Sequence, residues 1–123
     1  MFVQLWMRRE VITIASNETI ANACGLMDEH RIRRIPVIDQ ENKLLGIISK
    51  EDLKKALPSA VDASHDETSR ALANQVKVDT FMTRNPITVK PADTLEKVAA
   101  MMRRHKIGGI PVIEENLLVG IIT

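Results

Sequence analysis

The stretch RIRRIPVID at residues 31–39 recurs further along the chain as KIGGIPVIE at residues 106–114. The two copies share Ile-Pro-Val-Ile, but Arg33 and Arg34 of the first copy are replaced by Gly108 and Gly109 in the second. A shared frame with different residues at the same two positions predicts two related binding sites of different charge.

The similarity between the two copies extends over most of the chain. Under a shift of 75 residues Ile12-Thr13 meets Ile87-Thr88, and under a shift of 74 Gly46-Ile47-Ile48 meets Gly120-Ile121-Ile122. One unit is therefore used twice. We predict a first repeat over residues 1–57, a linker with a short helix over 58–77, and a second repeat over 78–123.

The spacing of apolar residues predicts the order β-α-β-β-α in each repeat. A helix that opens at Glu18-Thr19 has apolar residues at i, i+3, i+4 and i+7, and Pro58 would stop the second helix. In the first repeat the predicted elements are strand Ile12–Ile14, the helix from Thr19, strands Ile35–Ile38 and Leu44–Ile48, and helix Ser49–Leu57.

The fold predicted from this pattern is α/β, with two repeats packed sheet to sheet about a pseudo-twofold axis. Neither repeat is large enough to bury a three-stranded sheet alone. The second repeat reaches Thr123 without its last helix, so we expect apolar surface at Val119, Ile121 and Ile122 that needs another cover.

Composition excludes several classes of function. The formal net charge is +1, with 17 basic and 16 acidic residues, which argues against a nucleic-acid binder. No apolar run approaches the roughly 20 residues of a membrane span. The N-terminus lacks a signal-peptide pattern, and Cys24, the single cysteine, fits a reducing cytoplasm.

The motifs resemble a known family. Met-Thr-Arg-Asn-Pro-Ile-Thr-Val at 82–89, His-Lys-Ile-Gly-Gly-Ile-Pro-Val at 105–112 and Gly-Ile-Ile-Thr at 120–123 are similar to the CBS domain, named after cystathionine beta-synthase. Two such domains in tandem resemble a Bateman module. The arrangement also resembles bacterial stand-alone CBS pairs, including those linked to acetoin utilisation.

The resemblance implies a regulatory module whose clefts between the repeats bind AMP, ADP, ATP or S-adenosylmethionine. It also implies pairing of two modules into a homodimer and an unidentified regulated protein partner. Phosphate-reaching residues are implied to come from the repeat opposite the one that supplies the ribose-binding Asp. The candidate ligand-binding residues are Ile12, Thr13, Ile14, Arg33, Arg34, Ile35, Pro36, Ser49, Asp52, Thr88, Gly109, Ile110, Pro111 and Thr123.

Ser49 and Asp52 have two interpretations. They match the Ser/Thr-x-x-Asp motif, whose carboxylate is implied to accept hydrogen bonds from the two ribose hydroxyls. They also match a capping box, in which Ser49 is the N-cap and Asp52 reaches back to its amide. Both roles are compatible. In the second repeat Thr123 matches the Thr of the motif, but the sequence ends before an Asp.

Arg33 and Arg34 also have two interpretations. Neighbours in a strand point to opposite faces, so only one of the two is expected to address a ligand phosphate. The other would face solvent or an acidic neighbour such as Asp28 or Glu29. Alternatively, both form a solvated basic rim.

An enzymatic function has little support in the sequence, because no nucleophile with its base, no metal cluster and no P-loop can be assembled. His30 and His105 fit helix C-termini rather than metal sites, since no other ligand has suitable spacing. The alternative to a ligand-binding regulator is a structural or dimerisation module without a ligand.

Overall fold

The computed structural model describes residues 1–56 and 71–123, and they form the predicted α/β repeats. No helix among them is long and apolar enough to cross a bilayer. In chain order the elements are a 3-10 helix (Val3–Leu5), β1 (Ile14–Ala15), α1 (Ile20–His30), β2 (Arg34–Ile38), β3 (Leu44–Ser49), α2 (Lys50–Ala56), α3 (Val78–Phe81), β4 (Thr83–Arg84), α4 (Leu95–His105), β5 (Ile110–Glu114) and β6 (Leu117–Ile122).

The long helices of the two repeats begin and end in the same way. Thr19 and Thr94 are the N-caps, and each hydroxyl accepts a hydrogen bond of 3.2 Å from the amide three residues later. Arg31 and Lys106 end the helices in the left-handed conformation, each with φ of 55°. The predicted helix start at Thr19 is confirmed.

The first strand differs from its prediction over Ile12–Ile14. Only Ile14 and Ala15 pair with β2, in parallel, opposite Val37 and Ile38. Ile12 and Thr13 precede the strand, because the chain leaves the edge of the sheet there and Ile12 turns toward a cleft.

The repeats exchange their leading segments. In the four-stranded sheet, in the order β1-β2-β3-β4, strand β4 at the start of the second repeat pairs with β3 of the first. At the equivalent position Arg8 forms an antiparallel bridge with Ile121 of the two-stranded sheet β5-β6. Each repeat's sheet is thus extended by the segment that leads into the other repeat.

The two hydrophobic cores reflect this exchange. Val78 and Met82, from the start of the second repeat, are buried in the core of the first. Val3 and Met7, from the start of the first, are buried in the core of the second. The spatial units therefore differ from the sequential repeats, and each core contains residues from both repeats.

The hairpin turns join the two sheets at a second place. The Asn42 side-chain amide donates to the Leu118 carbonyl at 2.9 Å, and the Leu118 amide donates to the Asn42 carbonyl at 3.1 Å. Lys43 forms an antiparallel bridge with Leu117. Lys43 and Leu117 are equivalent positions under the shift of 74, so this bridge lies close to the pseudo-twofold axis.

The expectation of exposed apolar surface at the end of β6 is wrong. Ile121 and Ile122 are only 9% and 6% exposed, and Val119 is half-buried. The exchanged N-terminal segment provides their cover, because Arg8 pairs with Ile121 and Ile122 packs into the core that contains Val3 and Met7.

Two parts of the prediction fall outside the described residues. They are Leu57, the last residue of the predicted second helix, and residues 58–70 of the predicted linker, which include Pro58 and the first part of its short helix. Residues 71–73 are helical, and Ala73 is buried in the first core.

Two glycines permit the exchange. The Cβ of an alanine at Gly46 would lie 2.6 Å from the Thr83 carbonyl oxygen and 2.9 Å from the Met82 sulfur. At the equivalent Gly120 it would lie 2.8 Å from the Arg8 carbonyl oxygen. The crossing segments therefore pass too close to β3 and β6 for a side chain at these positions.

We predict that Gly46→Ala lowers the free energy of unfolding by about 1–3 kcal/mol, the usual cost of overpacking. Gly25→Ala is the matched control, because Gly25 lies inside α1 with no atom within 4 Å of the added Cβ. That change should stabilise the protein by about 0.5–1 kcal/mol through helix propensity. Urea denaturation measures both, and wild-type stability in Gly46→Ala would contradict the prediction.

Candidate functional site

The first of two clefts lies where β3 and the start of α2 face the chain before β5. We call it the Asp52 cleft. It encloses about 470 Å³. Its lining residues are Arg34, Ile47, Ser49, Glu51, Asp52, Thr83, Asn85, Pro86, Ile87, Lys106, Ile107, Gly108, Gly109 and Pro111.

The second cleft, which we call the arginine cleft, encloses about 360 Å³. Its lining residues are Arg8, Val11, Ile12, His30, Arg31, Ile32, Arg33, Arg34, Pro36, Ile121 and Thr123.

The two clefts are equivalent under the internal repeat. Residues 31–34 and Pro36 of the arginine cleft correspond, 75 positions later, to residues 106–109 and Pro111 of the Asp52 cleft. Each cleft also takes residues from both repeats, because the exchanged segments supply Arg8 to one and Thr83 to the other. The unequal sequence frames therefore form equivalent walls of two different clefts.

The clefts differ in charge. Four arginines and His30 line the arginine cleft, and no Asp or Glu side chain stands among its described lining residues. The Asp52 cleft has two cations, Arg34 and Lys106, beside two carboxylates, Glu51 and Asp52. Anions are favoured in the first, whereas the second pairs cations with carboxylate acceptors.

Ser49 and Asp52 form the predicted capping box. The Ser49 amide and hydroxyl donate to Asp52 Oδ2 at 2.9 and 3.0 Å, and the Asp52 amide donates to Ser49 Oγ at 3.2 Å. Both bonds to the carboxylate use Oδ2, so within the described residues Oδ1 is left for another donor. The capping geometry leaves ribose binding possible at the same carboxylate.

Arg33 pairs with Glu51 rather than with Asp28 or Glu29, as its Nη2 lies 3.1 Å from Glu51 Oε1. Asp28 and Glu29 sit in the last turn of α1, whereas α2 starts beside Arg33, whose carbonyl accepts the Lys50 amide. The backbone amide of Glu51, and then Arg33, lower the pKa of the Glu51 carboxyl. Glu51 is therefore ionised at neutral pH, and its charge offsets that of Arg33.

Arg34 crosses from the first repeat onto the second. Its backbone pairs with Ser49 in the sheet, and its side chain lies over Gly108 and Gly109. A Cβ at Gly109 would lie 2.6 Å from Arg34 Cδ, and one at Gly108 would lie 2.9 Å from Arg34 Nη2. Neither glycine has a positive φ, so the need for glycine here is space for the arginine rather than a special backbone shape.

Several predicted site residues lie outside both clefts. Ile35 and Ile110 are completely buried in the cores. Thr13 and Ile14 line a separate groove beside α1, and Thr88 lines neither cleft. The remaining nine candidates, Ile12, Arg33, Arg34, Pro36, Ser49, Asp52, Gly109, Pro111 and Thr123, line one cleft or both.

The sequence prediction missed the part of each wall that comes from an exchanged segment, Arg8 in one cleft and Thr83 with Asn85 in the other. It also missed Lys106 and Arg31, which end the helices. The repeat was the signal that could have found the latter pair, because Arg31 and Lys106 directly precede the two unequal frames.

Other reactive groups do not add to the site. Among residues 1–56 and 71–123, no group of three or more His, Cys, Asp or Glu side chains could hold a metal ion. Burial raises the pKa of the Cys24 thiol, Asp28 adds to this effect, and Lys50 opposes it. The thiol is therefore protonated and a weak nucleophile at neutral pH.

Solved structures with the same fold cover nearly all of this chain. A Vibrio cholerae protein provisionally assigned to acetoin utilization (AcuB) has a TM-score of 0.85 and 34% identity, over 100% of this chain and 84% of that one. The CBS domain pair of protein MJ0100, in complex with 5′-methylthioadenosine and S-adenosyl-L-methionine, has a TM-score of 0.82 and 30% identity, covering 100% and 89%. CBSX2 in complex with AMP has a TM-score of 0.82 and 25% identity, covering 99% and 89%.

The first curated relatives are longer proteins, enzymes among them, and this chain spans only 22%, 42% and 19% of their lengths. The alignments cover 95%, 96% and 91% of this chain, which includes both repeats. Residues 3–59 and 77–123 both match the model of the CBS domain. The chain therefore belongs to the CBS domain family and carries two copies of the domain in tandem.

Proposed function

We propose that this CBS pair is a regulatory module that binds an adenosine-containing ligand in the Asp52 cleft. The observation that carries the proposal is the meeting of Asp52, Arg34 and Lys106 around one cleft of about 470 Å³ lined by both repeats. That volume lies within the usual range for small-molecule sites. The cleft offers an acceptor for hydroxyls at one side and cations for phosphate at the other.

The ribose would be held by Asp52. A carboxylate accepts hydrogen bonds from two neighbouring hydroxyls, and these charge-assisted bonds are stronger than neutral ones. Ser49 already fixes Oδ2 from two directions, so the carboxylate is oriented before a ligand arrives. Oδ1 is the oxygen that would meet the ribose.

The adenine and the phosphates would take the remaining walls. Ile47, Ile87 and Ile107, with two prolines, give the cleft its apolar surface. Arg34 and Lys106 are the cations that would reach phosphate, and the positive charge of Arg33 is already offset by Glu51. The structural neighbours with bound S-adenosyl-L-methionine or AMP support an adenosine ligand as a class, with AMP, ADP, ATP and S-adenosylmethionine as candidates.

The arginine cleft is the equivalent second site. Its four arginines support the binding of a phosphorylated ligand, and Thr123 occupies the position that corresponds to Ser49. Because arginines make up so much of its lining, the phosphate would provide a large share of the affinity there.

Regulation would work through the packing of the repeats. A ligand that touches both repeats stabilises the arrangement it fits best and so shifts the population of packings. The changed shape would be read by a protein partner, in the cytoplasm. The alternative, a structural module without a ligand, predicts no rise in melting temperature with AMP, ADP, ATP or S-adenosylmethionine, whereas true binding raises it by mass action.

Asp52→Asn should weaken AMP binding by roughly 1–3 kcal/mol, the scale of a hydrogen bond to a charged group. Asparagine keeps an oxygen that can accept the Ser49 amide, so the helix cap is largely preserved. Isothermal titration calorimetry of wild type and variant measures the change.

The matched ligand is 2′,3′-dideoxy-AMP, which lacks both ribose hydroxyls. Wild type and Asp52→Asn should bind it equally, because the contact that the substitution removes is absent. An equal loss for AMP and for the dideoxy ligand would mean that Asp52 acts only through the fold, and unchanged AMP affinity would leave it as a helix cap.

We also propose that two copies of the chain pair. The first residues carry exposed apolar side chains, with Leu5 at 69% and Trp6 at 57% exposure beside Met1 and Phe2. Contiguous exposed apolar surface of this kind marks interaction sites. A symmetric pair would bury the same patch from both copies.

Light scattering should therefore give twice the monomer mass of 13.8 kDa at high concentration. Trp6 is the single tryptophan, so its emission should shift to the blue as the pair forms. Leu5→Gln should weaken pairing and reverse the shift, because it adds a polar group to the buried patch. A monomer mass at every concentration would contradict the proposal.

A further inference from the structure

We propose that Arg34 couples the two clefts, so that a phosphorylated ligand in one lowers the affinity of the other for a second phosphorylated ligand. This inference rests on the proposed function, since it requires phosphorylated ligands in the clefts. It adds a direction of communication between the sites and assigns it to one side chain.

The first observation is that Arg34 lines both clefts. The pseudo-twofold axis relates the two clefts, so a symmetric molecule would have an arginine from each repeat. Here the equivalent position is Gly109, and the Arg34 side chain occupies the space that a second side chain would fill. One guanidinium thus serves two equivalent sites.

The second observation is that no ion pair within the described residues holds the Arg34 side chain in place, although its charge helps to lower the pKa of Glu51. Arg33, its neighbour, is held by Glu51 at 3.1 Å. Among residues 1–56 and 71–123 no carboxylate forms an ion pair with Arg34. A phosphate is then the strongest partner that a ligand can offer this guanidinium.

The coupling follows because both clefts share the Arg34 guanidinium. A phosphate in the Asp52 cleft draws the guanidinium to that side, and the arginine cleft loses one of its four arginines. Occupancy of the arginine cleft removes Arg34 from the Asp52 cleft, which then retains only Lys106 for phosphate. Thermodynamic linkage makes the two effects equal. Adenosine has no phosphate, so it should show no such coupling.

The test is a site-resolved titration. Ile12 and Ile87 occupy equivalent positions in the repeats, Ile12 in the arginine cleft and Ile87 in the Asp52 cleft. Their methyl NMR signals report the occupancy of each cleft separately. In wild type, ADP should fill the second cleft with an affinity about fivefold or more below that expected for an independent site, a typical allosteric coupling. Adenosine should fill the clefts independently.

Arg34→Met removes the charge and keeps an unbranched side chain. It should weaken ADP binding at both clefts and abolish the coupling. Arg33→Gln is the comparison variant, because it removes a neighbouring charge that lines only the arginine cleft. In this variant the coupling between the clefts should persist. Gly109→Ala keeps Arg34 but displaces its side chain from the position above the glycines. It should weaken ADP binding in the Asp52 cleft relative to the arginine cleft.

The inference is overturned if the coupling persists in Arg34→Met, or if wild type binds ADP at both clefts independently. Occupancy of a single cleft in both wild type and Arg34→Met also overturns it while leaving the proposed function intact. If adenosine, AMP, ADP, ATP and S-adenosylmethionine all leave both methyl signals unchanged, the proposed function itself fails.

Discussion

The close passage of each leading segment across the sheet of the opposite repeat is the constraint on which the molecule depends. At Gly46 and Gly120 the crossing backbone leaves no room for a Cβ. Because the segments cross there, Val78 and Met82 enter one core while Val3 and Met7 enter the other. The same crossing brings Thr83 and Arg8 to the mouths of the clefts, so the packing that stabilises the fold also builds the walls of the sites.

Duplication followed by divergence explains why equivalent clefts differ in chemistry. The frame at 31–34 and its copy at 106–109 occupy equivalent walls. The first frame carries the charged side chains of Arg33 and Arg34, whereas the second has glycines, which leave space. The space is used: the Arg34 side chain fills the volume above Gly108 and Gly109. The two frames are thus complementary in shape to each other, because the arginine of one fills the space left by the glycines of the other. The residues of one repeat therefore explain its frame only together with those of the other repeat.

Local features were accessible from the sequence because local physics determines them. The helix that starts at Thr19 follows from apolar spacing and a capping hydroxyl, and the Ser49–Asp52 capping box follows from two residues three apart. Contacts between repeats were not accessible. A β pattern does not say which sheet it joins, so the cover over Ile121 and Ile122 was missed. Glu51 was likewise not foreseen as the partner of Arg33, because it is 18 positions away and the strand pairing that brings it near is not local.

The exchange of leading segments also affects how such a chain folds. The Val3 amide donates to the Asp93 carbonyl at 2.8 Å, and the Leu95 amide to the Met1 carbonyl, so the second core closes only after both ends of the chain meet. Contacts of such long sequence separation slow folding and favour a single cooperative transition over the stepwise folding of two halves. A solitary repeat would contain its own leading segment, but it would lack the leading segment of the other repeat, with which its sheet pairs. Two copies of such a repeat would complete each other's sheets only by exchanging these segments, as the two repeats do within this chain.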